Sequence, residues 1–311
     1  MPFLTQQGLN GVKMLLAPIV EIFCDIDEFC KSHVKELANK LFPLPQGKRQ
    51  RKTELSESEM MTIMIVFHLS HYRTFKDFYV NCVLGQLYRE FPKAVSYPRF
   101  IALMPRMLAP LTAYVLSRTG KHTGLYYLDS TKMVVCHNRR IYRNKVFKGI
   151  AERGHCSVGF FYGFKLHLVI NHEGEIVSFC ITKGNVDDRQ VVKKLMRGLV
   201  GFGAGDKGYL SKNLEEVLAK QGLKLITRVK KNMKKRILSA FEKFFLYQRS
   251  IVETVIGQLK SICHIEHTRH RSPVNFLVNL VSGLAGYCLK PRKPSIGRTK
   301  FWINTQSLNH N

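Results

Sequence analysis

Apolar residues fall into two textures along the chain. From the N-terminus to about residue 120 they recur every third or fourth position, the spacing that gathers side chains on one face of a helix. Met14 to Ile26 and Phe29 to Leu41 follow this rule. Phe42-Pro43-Leu44-Pro45 ends it, because proline lacks an N–H and its ring collides with the preceding turn. Further helices are predicted from the acidic cap Ser56-Glu57-Ser58-Glu59 through Leu69, over Arg73 to Leu87, and from Ser96 to about Ser117. Residues 1–120 are therefore expected to form an all-helical N-terminal domain. Helices joined by short turns with basic loops can carry a DNA-recognition element, and an ordinary structural bundle fits the same pattern.

Near residue 123 the texture changes. Gly124 to Val135 is rich in aromatic and β-branched residues, and Phe160 to Ile170 alternates; both are predicted strands. A turn over Asn171–Glu175 leads to a third strand at Ile176 to Thr182. Asn185-Val186-Asp187-Asp188 caps a helix to about Leu199, and a short strand ends at Asp206. A helix over Leu210 to Gln221 and a fifth strand at Leu223 to Thr227 follow. Phe241, Phe245, Val252, Val255, Ile256, Leu259 and Ile262 then mark one long helix. Three strands joined by hairpins, then alternating helices and strands, predict an α/β fold: a mixed five-stranded sheet with flanking helices over residues 121–290. Residues 291–311 read as a basic C-terminal tail.

Charge changes the picture more than size does. The 311 residues carry 49 Lys and Arg against 22 Asp and Glu, a net charge of +27. The common physical use of such an excess is a nucleic-acid backbone. The basic residues are spread among well-patterned segments, unlike a basic tail. Lys48, Arg49, Arg51 and Lys52 form a short basic loop that is either a solvated linker or a DNA-backbone contact. The eight cysteines form no CxxC pair and are expected to be reduced and mostly buried. The longest apolar runs, such as Met60 to Leu69, are too short and interrupted to suggest a bilayer span, and no export signal is evident, so a cytoplasmic protein without a membrane partner is expected.

The chemistry centres on three acids. Asp129 lies inside an otherwise apolar strand, and Asp206 closes the fourth strand after two glycines. If the first and fourth strands are neighbours, these carboxylates stand side by side and repel unless a hard cation neutralises them. Glu253 lies on the long helix, on one face with Arg249 and Lys260. That stripe can be a solvated run of ion pairs, or it can complete a site with the two aspartates. Three such carboxylates suit Mg²⁺ or Mn²⁺, two ions of which would serve phosphoryl transfer. Asp187 and Asp188 compete with Asp206 for the second place, but capping the following helix is the favoured account of both. Lys165, Lys207 and His167 lie near the predicted site and are assigned no role.

Leu128-Asp129-Ser130-Thr131, Gly205-Asp206-Lys207-Gly208-Tyr209, and the spacing of Arg249, Glu253 and Lys260 resemble the DDE transposases of bacterial insertion sequences, with the IS982 family the nearest likeness. The resemblance covers Leu125 to about Tyr287. It implies an RNase H-like catalytic domain in which Asp129, Asp206 and Glu253 are catalytic and hold two Mg²⁺ or Mn²⁺ ions. It implies that Arg249 and Lys260 contact transposon-end phosphates, and that a homodimer works on paired double-stranded DNA ends. The implied reaction is 3′-end cleavage and strand transfer after binding of terminal inverted repeats, in a bacterial cytoplasm and on the nucleoid. A tyrosine expected three residues before the arginine is Leu246 here, so Tyr247 is given no role. The alternatives are a metal-dependent nuclease without strand transfer and a DNA-binding protein whose catalytic centre has decayed.

Overall fold

The computed structural model describes residues 6–32, 53–70, 72–156, 159–228, 237–266 and 270–296. The chain divides into two compact units, one made of residues up to Arg118 with Leu259–Leu289, the other of Thr119–Gln258 with the residues from Lys290 onward.

The first unit is helical. It holds α1 (Gln6–Ser32), α2 (Glu57–Leu69), a short α3 (Phe75–Asp77) that widens into a π-helical segment (Phe78–Gln86), α4 (Tyr97–Leu103), α5 (Leu108–Ser117) and α10 (Pro273–Leu289). Ser56 caps α2 as the sequence predicts: its hydroxyl accepts from the Glu59 N–H at 3.1 Å, and the Glu59 carboxylate accepts from the Ser56 N–H at 2.7 Å. From Met60 to His68 α2 is buried on every side, the signature of a core helix. α10 packs on α2 and α5, so a helix from late in the sequence completes this core. The predicted helix over Arg73–Leu87 is wider than expected, with the Leu87 N–H reaching the Cys82 carbonyl at 2.8 Å. Among the described residues, Tyr97–Ser117 is by length and composition apolar enough to cross a membrane. A 3₁₀ turn at Met104–Met107 interrupts it, and Phe100, Leu103, Leu111 and Tyr114 are buried in the helical core.

The second unit is a curled mixed sheet of six strands with helices on both faces. The strands are β1 (Leu125–Cys136), β2 (Glu152–Cys156), β3 (Gly159–Asn171), β4 (Ile176–Lys183), β5 (Gly201–Gly205) and β6 (Leu223–Thr227). The five expected strands are present; β2 is the addition, a five-residue stretch for which the sequence predicts no element. β1 pairs with β3 antiparallel and with β5 parallel, and β5 pairs with β6 parallel. The other edge of β3 is shared by β2 and β4. β1 is thus central, which explains the unbroken burial of Tyr126, Tyr127 and Leu128.

Alternation along β1 sends Tyr126 and Leu128 to one face. There they join Val192, Leu195, Leu214 and Leu218 of α6 (Asp188–Leu195) and α7 (Lys212–Lys220) in one apolar cluster. Tyr127 points to the other face, where its ring lies 4.8 Å from Phe245 of α8 (Ala240–Tyr247). The single long helix expected over Phe241–Ile262 is in fact two, α8 and α9 (Ser250–Ser261), parted at Gln248 and Arg249. Tighter bonds form there, from Arg249 N–H to the Leu246 carbonyl at 3.3 Å and from Val252 N–H to the Arg249 carbonyl at 3.1 Å. Apolar spacing continues across the break, so periodicity alone could not reveal it.

All eight cysteines are free, but only Cys82 and Cys263 are buried, fewer than expected. Gly201 opens β5 at φ 108°, and a Cβ there would stand 2.3 Å from the Gly124 carbonyl oxygen at the start of β1. Gly201→Ala is expected to destabilise the protein by at least about 2 kcal/mol, because strain and a backbone clash coincide. Thermal unfolding checks this, and Gly208→Ala, where the added Cβ meets nothing within 4 Å, is the control.

Candidate active site

The parallel pairing of β1 and β5 sets the first two acids. Tyr127 is opposite Ala204, so two residues further on Asp129 comes level with Asp206. Gly205 is small for a reason: a Cβ there would press to 3.1 Å on both Leu128 and Tyr209. By the same alternation Asp129 shares the face of Tyr127, the face that α8 covers. The break after α8 then presents Arg249, and the first turn of α9 presents Glu253. Arg249 donates to Asp129 Oδ2 at 3.3 Å and, through its other terminal nitrogen, to Glu253 Oε1. Asp206, Arg228, Tyr247, Arg249, Ser250 and Glu253 line a pocket of about 360 Å³.

Burial raises the Asp129 carboxyl to about 6, and the nearby Glu253 and Asp206 push in the same direction; the Ser130 N–H and Arg249 oppose them. Its folded value thus lies above the ordinary 3.8. Between those values the folded state binds more protons than the unfolded state, so stability is fully present below the lower value and is lost as pH rises through the upper one. For metal-free protein this loss is expected to be on the order of 2–3 kcal/mol. Asp129→Asn should flatten the dependence, as denaturant unfolding at a series of pH values will show.

Ser130 points away from Asp129, into a second polar cluster. Its hydroxyl donates to Asp188 Oδ2 at 2.8 Å, and Lys165 donates to Asp188 Oδ1 at 2.8 Å and to the Val186 carbonyl at 2.9 Å. His167 stands opposite Ser130 in register and bonds the Thr182 hydroxyl at 2.8 Å. Burial lowers its pKa to about 4, with Asp188 opposing and Lys165 assisting. Asp187 caps α6 as expected, accepting from the Arg189 N–H at 2.9 Å. Asp188 does more than the capping favoured for it: it ties α6 to β1 and β3. The Ser130 N–H in turn donates to Asp129 Oδ1 at 2.8 Å. The sequence signal for this cluster was the shared strand parity of Lys165 and His167, which gained meaning only with the β1–β3 register.

Lys260 ion-pairs with Glu266 at 2.5 Å and falls among the residues of the helical unit. Lys48, Arg49, Arg51 and Lys52 lie outside the described residues. No three His, Cys, Asp or Glu side chains among the described residues already stand close enough to hold a metal ion. The chemistry of the donors nonetheless fits a hard divalent cation. All three acids offer carboxylate oxygens, and the Arg249 guanidinium between Asp129 and Glu253 supplies the neutralisation that such a cation would take over.

No curated protein matches the chain. A solved structure of piggyBac transposase, in a synaptic complex with hairpin DNA, overlaps it with a TM-score of 0.45 and 10% identity, over 94% of this chain and 74% of that one. At that level nothing transfers from one protein to the other. Residues 119–273 match the family described as transposase DDE domain, a span that includes all six strands, Asp129, Asp206 and Glu253, and this match supports a DDE transposase.

Proposed function

We propose that the chain is the transposase of a bacterial insertion sequence, of the IS982 type, that cleaves 3′ ends and transfers them to target DNA. The observation that carries this reading is the pair of aspartates level across β1 and β5, with Arg249 joining Asp129 to Glu253. Under this reading the sheet is RNase H-like, and Asp129, Asp206 and Glu253 hold two Mg²⁺ or Mn²⁺ ions. When bound, such ions activate the attacking water or 3′-hydroxyl and neutralise the leaving oxygen. Ser130 holds the Asp129 carboxylate through its backbone N–H. Arg249, relieved of its carboxylates, is free to turn its planar donor fork to a DNA phosphate, and Lys260 adds a point charge.

Lys48, Arg49, Arg51 and Lys52 add phosphate contacts, terminal inverted repeats supply the specific sites, and two copies act on paired ends. The protein works on nucleoid DNA in the cytoplasm. The test is incubation of the full chain with Mg²⁺ and DNA carrying the element's ends. Cleavage followed by joining to a second DNA is the expected result. Cleavage without joining would mean a nuclease, and binding without cleavage a decayed enzyme.

A further inference from the structure

The segment between β1 and β2 has chemistry that the carboxylate site does not use. A six-residue 3₁₀ turn, Asn138–Arg143, carries Arg139, Arg140, Tyr142 and Arg143, and Lys145 and Lys148 follow. All six of these side chains are exposed, and none of the five cations forms an ion pair among the described residues. The segment holds no acid, and Glu152, the first residue of β2, is committed to Lys183 at 3.6 Å. Tyr142 is 99% exposed, more than any other large apolar side chain described.

This is not a loose loop. Phe147 is 1% exposed and packs on Phe164, with ring centroids 6.0 Å apart. Its carbonyl accepts from the Tyr162 hydroxyl at 3.1 Å, and its N–H donates to Asn144 Oδ1 at 3.1 Å. Lys183 donates to the Gly149 carbonyl at 3.1 Å, and Asn138 to the Phe160 carbonyl at 2.8 Å. In a 3₁₀ turn residues three apart eclipse, so Arg140 aligns with Arg143 and Tyr142 with Arg139. A merely solvated basic face has no use for a fully exposed aromatic ring held among unpaired guanidinium groups. Arginines with an interleaved aromatic are the chemistry of a nucleic-acid contact, the cations for phosphates and the ring for a base face.

We propose that Asn138–Lys148 is a DNA-binding arm, in which the arginines grip backbone phosphates and Tyr142 stacks on an unpaired base. The proposal rests on the transposase reading and deepens it. Cys136, where β1 ends, lies seven residues beyond Asp129. At about 3.3 Å per residue this is roughly 23 Å. DNA that ran along β1 from the carboxylates would meet the arm after roughly seven base pairs.

The experiment measures binding of the full chain to a blunt DNA duplex, and to the same duplex with a short single-stranded overhang, across a series of salt concentrations. The unsubstituted protein is expected to favour the overhang. Tyr142→Ala should weaken overhang binding roughly tenfold and leave blunt binding unchanged. Combined Arg139→Ala, Arg140→Ala and Arg143→Ala should lower the slope of log affinity against log salt by about 2–3 on both DNAs, while the corresponding lysine substitutions keep it. Circular dichroism confirms that these surface variants fold. If the unsubstituted protein binds DNA and both alanine variants match it, the arm is refuted and the transposase reading stands. If the unsubstituted protein binds neither DNA, both fall.

Discussion

Asp129→Asn is expected to lower metal-dependent DNA cleavage by more than about 100-fold. Replacing groups that only orient a metal ligand costs about 10–100-fold, and Asp129 is assigned as a ligand itself. The substitution keeps size and hydrogen-bonding capacity and removes only the charge, so the loss cannot be assigned to a cavity. Asparagine also removes a carboxylate that burial pushes up to about 6, so the metal-free variant should be at least as stable as the unsubstituted protein at neutral pH. Lost activity with undiminished stability separates a catalytic role from a structural one. Asp206→Asn and Glu253→Gln should cost as much activity. Single-turnover cleavage and thermal unfolding on the same preparations read both quantities. A variant that keeps a third of the cleavage rate would remove that residue from the site.

A large change in stability is also expected at the Lys165–Asp188 pair. Lys165 is only 15% exposed, so Asp188→Asn strands an ammonium group largely out of water. Breaking a fully buried pair costs about 3–5 kcal/mol; Asp188 keeps 28% exposure, which scales the expected cost to about 2 kcal/mol. For a protein of this size that lowers the melting temperature by roughly 3 °C. Lys165→Met leaves the opposite charge and should cost about the same. The double variant Lys165→Met with Asp188→Leu should recover most of the loss, because no unpaired charge remains. Single-variant effects that merely add would show that the two groups do not depend on each other. The pair also holds Ser130, so the single variants should reduce cleavage beyond what lost folding explains.

Much of the catalytic half was legible because its signals are local. Alternation and turn residues predicted β1, β3 and β4, and the order of strands and helices placed β1 beside β5, which made neighbours of Asp129 and Asp206. The strand β2 was missed because Glu152-Arg153-Gly154-His155-Cys156 lacks the β-branched and aromatic residues of a half-buried strand. Its place is set by pairing with the first half of β3, which is tertiary information. The α8–α9 break was hidden by apolar spacing that runs through it. The spacing of Arg249 and Glu253 did foretell their ion pair. That Arg249 also reaches Asp129, 120 positions earlier, follows from the fold alone. The role of Asp188 was obscured by its neighbour Asp187, since both sit where a helix cap is expected and only one can make that bond.

The central claim is that Asp129, Asp206 and Glu253 together hold divalent metal. It is tested most directly by titrating the metal-free full-length protein with Mn²⁺ at neutral pH and counting free Mn²⁺ by electron paramagnetic resonance. Saturable binding is expected, weakened at least about tenfold by each of Asp129→Asn, Asp206→Asn and Glu253→Gln. Saturable binding that survives all three substitutions unchanged, or none in the unsubstituted protein with or without DNA, would contradict it.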